Sequence, residues 1–389
     1  MFEGQMVFPQ LLAFLPRRIL DNCVRRYHGN KRVRALSCRD QFLAMMFAQL
    51  TARESLRDIE ICLTAVQSKL FHAGFRGPIK RSTLADANRL RDWRIWQDLG
   101  LALIDRARQL YAADPLPSEL QTAAYALDAT VLNLSLTLFP WAPSQRDKAA
   151  IKLHTLLDLQ GNIPCFLRIS GTRTRDCAML DEVPVEAGSL YVMDRDYNDY
   201  GRLHRLHQAG AFFLVRAKSN LTYRRQRSQT VDRTTGLRSD QIILLKDRRT
   251  FRKYPDRLRR ITFFNAETRR RFVFIGNHFL LSAADLVELY WRRWDIELFF
   301  KWVKQHLRIK HFVGNTPNAV RTQIWIAVST YVLVAILRRE LRIERTMSEI
   351  LQILSVTIFE KTPIKTVLNE SQFQSQILQN HKQLSLFDL

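Results

Sequence analysis

The chain has few cysteines and no arrangement of them that a cross-link or a zinc ion would use. Cys23, Cys38, Cys62, Cys165 and Cys177 are scattered through 389 residues with no Cys-x-x-Cys pair. That excludes a disulfide framework and a cysteine zinc site. Such cysteines are usually small buried apolar residues, and a reducing cytoplasm suits them. Long apolar runs are also missing. The longest, Ile324 to Leu337, has 14 residues, whereas a spanning helix needs roughly 20. It reads as a buried helix, and no membrane partner is expected. Glu3, Arg17 and Arg18 interrupt the first apolar residues, so no signal peptide is expected. Internal repeats are absent. Acid is scarce: 37 Asp+Glu face 60 Lys+Arg, a formal charge of +23.

Apolar residues make up 47% of the chain, enough for packed cores, and the length calls for two or three units. The positive surplus favours a polyanionic partner, because Lys and Arg displace counterions condensed on phosphates. It is unevenly spread: Arg216 to Arg271 holds 18 basic and 5 acidic residues. Arg dominates there, and its planar fork suits phosphate oxygens.

Residues 1 to about 112 read as helical. Thr51-Ala-Arg-Glu54 has the spacing of a capping box. After a turn at Gly74 to Pro78, a second helix near Ser82 carries Asn88, Arg89 and Arg91, a pair resembling a helix-turn-helix DNA reader. From about residue 120 the period changes. Ala123–Leu136, Ile151–Leu159 and Ile163–Ile169 read as an antiparallel meander with a tight turn at Gln160-Gly-Asn162. A helix around Cys177–Val183, a strand Leu190–Met193 ending at Asp194, a helix around Tyr200–Gln208 and a strand Ala211–Val215 follow. The order predicts an α/β (α+β) class, a mixed sheet flanked by helices. Residues 217–280 read as a basic, β-rich insertion. A long helix then runs from Ser282 to about Ile309, and a polar tail begins near Ser371.

The long helix contains Tyr290, Arg293, Glu297 and Lys304, which fall on one stripe about 60° wide at 100° per residue. A carboxylate beside a phenol and two cations suits a site for a metal ion and a phosphodiester. A salt-bridged surface helix gives the same pattern, since Arg293 and Glu297 are an i,i+4 pair. Tyr-x2-Arg-x3-Glu-x6-Lys resembles the signature of the IS4 family of bacterial insertion-sequence transposases. Leu127-Asp128-Ala-Thr130 and Met193-Asp194-Arg-Asp-Tyr197 look like that family's first and second strand motifs.

The resemblance implies an RNase H-like catalytic domain, placed at 116–340, between an N-terminal helical DNA-binding domain (1–115) and a C-terminal helical region with its tail (341–389). It implies Asp128, Asp194 and Glu297 as metal-binding catalytic carboxylates for Mg2+, with Mn2+ as a substitute. Asp196, where the family often has Gly, is the alternate for Asp194; Asp295 faces another side of the helix. By the same likeness Tyr290, Arg293, Lys301 and Lys304 contact DNA phosphates. Trp291, Trp294 and Trp302 are core residues or stacking platforms. The implied partners are terminal inverted repeats and target DNA, with a dimer on DNA and a hairpin intermediate, in the bacterial nucleoid. The tail's Gln383, Leu384, Leu386 and Phe387 resemble a peptide that docks on the replication sliding clamp. A transposase-derived DNA-binding protein and another RNase H-like nuclease are the rival readings.

Overall fold

Up to Tyr111 the described residues are mainly helical in the computed structural model, which describes residues 4–114, 123–134, 141–142, 149–307 and 314–369. The helices are α1 (Val7–Leu12), α2 (Arg17–Arg26), α3 (Cys38–Leu50), α4 (Leu56–Ala65), α5 (Gln67–Leu70), α6 (Arg81–Leu90) and α7 (Arg94–Tyr111). Ser37 starts α3 in a reciprocal capping box with Asp40. The box expected at Thr51 and Glu54 does not form. Thr51 instead ends α3, its hydroxyl donating to the Phe47 carbonyl at 2.8 Å, and Ser55 caps α4. In the expected reader helix, α6, and at its C-terminal end, two of the three named residues are held internally. Asn88 is buried and accepts from Gln41 Nε2 at 2.8 Å, and Arg91 donates to Gln41 Oε1 at 2.9 Å. Arg89 is exposed and pairs with Asp86 at 3.0 Å.

The expected meander appears as β1 (Ala124–Leu134), β2 (Ala149–Asp158) and β3 (Ile163–Gly171), paired antiparallel. Gly161 (φ 76°) and Asn162 (φ 57°) adopt the left-handed backbone that the connecting turn needs. A Cβ on Gly161 would sit 2.4 Å from the Tyr111 ring. The segment expected as a helix around Cys177 is a 3-10 helix, Asp176–Asp181. Next come β4 (Leu190–Met193), α8 (Tyr200–Gln208) and β5 (Phe212–Arg216), with β4 parallel to both β1 and β5.

The basic segment forms β6 (Tyr223–Gln229), β7 (Leu237–Leu245), α9 (Arg248–Lys253), β8 (Leu258–Asn265) and β9 (Arg270–Gly276). These strands add to the same sheet, through β9 against β5. The order is β3-β2-β1-β4-β5-β9-β8-β7-β6. The first five strands have the RNase H-like arrangement, and the insertion is their continuation. Tyr125, Leu127, Tyr191, Met193, Leu203, Phe213 and Ile275 are core residues of this sheet. Helices α10 (Ala283–Arg292) and α11 (Trp294–Leu307) follow.

Helices α12 (Pro317–Glu340), α13 (Met347–Thr357) and α14 (Ile364–Asn369) complete the described chain. By length and composition α12 could cross a membrane, but 94% of its apolar stretch is buried inside the protein. It packs on α1, α3, α6 and α13 as a core helix, which is what an all-round apolar surface requires. The chain thus divides into Met1–Leu110 with Trp302–Leu389, and Tyr111–Lys301. This packing division differs from the boundary expected after residue 340, because α12 completes the helical core begun by the N-terminal residues.

Candidate active site

Parallel pairing of β1 with β4 brings the first two expected carboxylates together. Leu127 is in register with Met193, so Asp128 and Asp194, the next residues on each chain, emerge side by side. Asp128 lies within β1, its side chain 22% exposed, and its Oδ1 accepts the Ala129 N–H at 2.8 Å. Asp194 follows the last residue of β4 and precedes the 3-10 turn Arg195–Tyr197. Asp196, in that turn, is exposed, whereas Asp194 is half-buried.

The third carboxylate stands on a helix that is broken where a continuous one was expected. Arg293 separates α10 from α11: its N–H bonds to the Tyr290 carbonyl and its carbonyl accepts the Ile296 N–H, both at 3.1 Å. These i→i+3 bonds tighten one turn, so the stripe from Tyr290 to Lys304 is not one continuous helical face. The tightened turn puts Arg293, 6% exposed, between two acids. Its Nη1 donates to Asp128 Oδ2 at 2.8 Å and its Nη2 to Glu297 Oε1 at 2.9 Å. Glu297 is 44% exposed.

The acids perturb one another. Burial pushes the Asp128 carboxyl up to about 6; Arg293 opposes this, and the charges of Asp194 and Glu297 add to it. Tyr197, noted in the sequence only as the end of a motif, is buried nearby. Burial first, and then the Asp128 charge, hold its phenol far above the usual range.

Of the residues expected on DNA, Tyr290 is 2% exposed and packs against Phe274 with ring centroids 4.4 Å apart. Arg293 is likewise enclosed, so in this structure both face protein. Lys301 and, further along α11, Lys304 are exposed. Trp291 meets Phe272 edge-on at 4.9 Å, Trp302 is buried against Tyr331, and Trp294 is 51% exposed. Asp295 lies near Arg292, 4.0 Å away, apart from the three acids. The tail residues Gln383, Leu384, Leu386 and Phe387 lie outside the described residues.

The donor set fits a hard divalent cation: carboxylate oxygens that repel one another, with one guanidinium shared between two of them. Among the described residues, no three acidic, His or Cys side chains already surround a single metal position. Glu297 is instead turned to Arg293.

Comparison with known proteins gives the chain's family. Residues 120–333 match the model of the transposase DDE domain, and residues 3–76 match a domain of unknown function. A putative transposase of Sinorhizobium fredii is 31% identical over 62% of this chain and 68% of its own length. A probable transposase for the insertion sequence element IS5377 of Geobacillus stearothermophilus is 28% identical over 53% of this chain and 54% of its own length. A putative transposase for the element IS4SA of Synechocystis is 23% identical over 77% and 84%. The chain belongs to the DDE-domain transposases.

Proposed function

We propose that the protein is an insertion-sequence transposase of the IS4 type that cuts DNA at the ends of its element and joins them to a target. One observation carries this reading: the β1–β4 register sets Asp128 beside Asp194, and Arg293 ties Asp128 to Glu297. Asp128, Asp194 and Glu297 would hold Mg2+, or Mn2+ in its place. When bound, a divalent ion neutralises charge on the attacking and leaving oxygens of an in-line displacement.

The chain's own residues do the rest. Asp128 sits on a central strand, where packing fixes its position to the accuracy that phosphoryl transfer demands. Arg293 is the counter-charge that lets two carboxylates approach in a partly dry site, and Tyr290 packs beside it. Lys301 and Lys304, both exposed, meet the DNA phosphates. Water first attacks phosphorus as the bond to the 3′ oxygen breaks, giving a 5′ phosphate and a free 3′-OH. That hydroxyl then attacks a target phosphodiester, and the target's own 3′ oxygen leaves. Terminal inverted repeats, a hairpin intermediate, a dimer on DNA, a nucleoid location and sliding-clamp docking through Phe387 belong to the same proposal.

Strand joining separates this reading from another RNase H-like nuclease. Pre-cut element ends with a free 3′-OH, purified protein, Mg2+ and a target plasmid should give joined product, and Glu297→Gln should give none. Cleavage without joining would assign the chain to the nucleases. Duplex binding with neither activity, in Mn2+ as well, would make it a DNA-binding protein that has lost catalysis.

A further inference from the structure

Two neighbouring arginines on β8 have opposite fates. Arg259 is 3% exposed and reaches Asp240 in a bidentate pair, at 2.9 and 2.7 Å. Arg260, at 9% exposed, projects to the other face of the sheet, as successive strand residues do. Among the described residues no carboxylate pairs with it. Its Nη1 donates to Gln241 Oε1 and Thr262 Oγ1, both at 3.1 Å, while its Nε has no partner. Its guanidinium lies 4.8 Å from the centroid of the Tyr223 ring. A buried cation without an anion is costly.

Arg260 lines a cavity of about 660 Å³ with Arg195, Arg216, Lys218 and Arg271. No salt bridge engages any of these five among the described residues. Asp196 is the single carboxylate in the lining, and it is exposed. Arg195 directly follows the active-site Asp194. We infer that this cavity is a built site for a backbone phosphate of the DNA strand passing the active site, with Arg260 as its buried anchor and Arg216 and Arg271 closing on the phosphate oxygens. This rests on the transposase reading. It assigns a phosphate-gripping function to the inserted strands, apart from the three carboxylates. An oxyanion supplies the charge Arg260 lacks, and a planar guanidinium fork fits it in two-point contact.

The test is binding of a fluorescent random-sequence duplex by the full-length chain, by anisotropy across a salt series. Variants are Arg260→Gln, Arg271→Gln and, as a control, Arg224→Gln, an exposed cation that does not line the cavity. Arg260→Gln and Arg271→Gln should each weaken binding about tenfold and lower the salt slope by about 0.9. Arg224→Gln should change affinity less than twofold.

Equal losses in all three would mean a diffuse basic face and overturn the site. Parent-like binding by Arg260→Gln and Arg271→Gln would overturn it too, leaving the transposase reading intact. A parent that binds no duplex would sink both. Millimolar inorganic phosphate that raises the parent's melting temperature but not that of Arg260→Gln, with duplex binding unchanged, would mean a small free phosphate instead. Should Arg260→Gln lose stability, the exposed Arg271→Gln decides the matter alone.

Discussion

Asp128 should make the sheet unit less stable as pH rises, provided that no divalent ion is present. Its carboxyl is at about 6 in the folded protein, above the ordinary 3.8 of the unfolded chain, chiefly because it is buried. The folded state therefore holds the proton more tightly. This stabilisation is complete below about pH 4 and is lost as the pH passes 6. Linkage puts the loss between about pH 5 and 7.5 at roughly 1.4 kcal/mol. For a unit of this size that is about 3–6 °C in melting temperature. Asp128→Asn mimics the protonated acid and removes only this component.

The assay is scanning calorimetry of parent and Asp128→Asn in chelator at both pH values. The melting temperature of the variant minus that of the parent should grow by about 3–6 °C from the lower to the higher pH. Subtraction cancels every other titrating group. Any pH-independent offset from the substitution itself is common to both conditions, and the Arg293 contact is already contained in the shift. Mg2+ added at the higher pH should stabilise the parent more than the variant and shrink the gap. A gap that did not change with pH would refute the burial argument.

Other parts of the fold make separate predictions. Asp240→Asn should destabilise the protein by about 3–5 kcal/mol, read by calorimetry, because it strands the buried Arg259 without its acid. Gly236→Ala should cost about 1–3 kcal/mol on the same instrument. That glycine has φ 92°, and a new Cβ would lie 2.7 Å from Phe263 and 2.8 Å from the Phe264 carbonyl. Glu297→Gln should change stability by less than about 1 kcal/mol, since Glu297 is 44% exposed and its helical partner is four residues away. Loss of activity in that variant, with an unchanged melting temperature, would then be chemical in origin.

Period-2 alternation and turn residues made the sheet core readable. Leu190–Met193 and Tyr200–Gln208 coincide with the observed β4 and α8, and β1 to β3 lie within a few residues of their expected bounds. Within the segment expected to be β-rich, strand β6 has no readable period, because Tyr223–Gln229 is nearly all polar and exposed; it is an edge strand with no apolar face to pattern. The joining of β9 to β5 is a long-range pairing that no local period encodes. Asn88 and Arg91 have the chemistry of DNA readers, yet Gln41, 47 and 50 residues away, claims both. At the site, the likeness to the IS4-family motifs, more than residue type or helical period alone, pointed to the carboxylates. The turn at Arg293 had no Pro or Gly to announce it, so the bridge from Arg293 to Asp128 and Glu297 became visible only in three dimensions.

The most direct measurement is cleavage of DNA carrying the gene's own flanking sequences, with Mg2+, by the parent and by Asp128→Asn, Asp194→Asn, Glu297→Gln and Asp196→Asn. The parent should cut at the element ends and leave a 3′-OH. The first three variants should fail while keeping the parent's duplex affinity within a fewfold, and Asp196→Asn should still cut. Cleavage that survives in Asp194→Asn but disappears in Asp196→Asn would contradict the site described here.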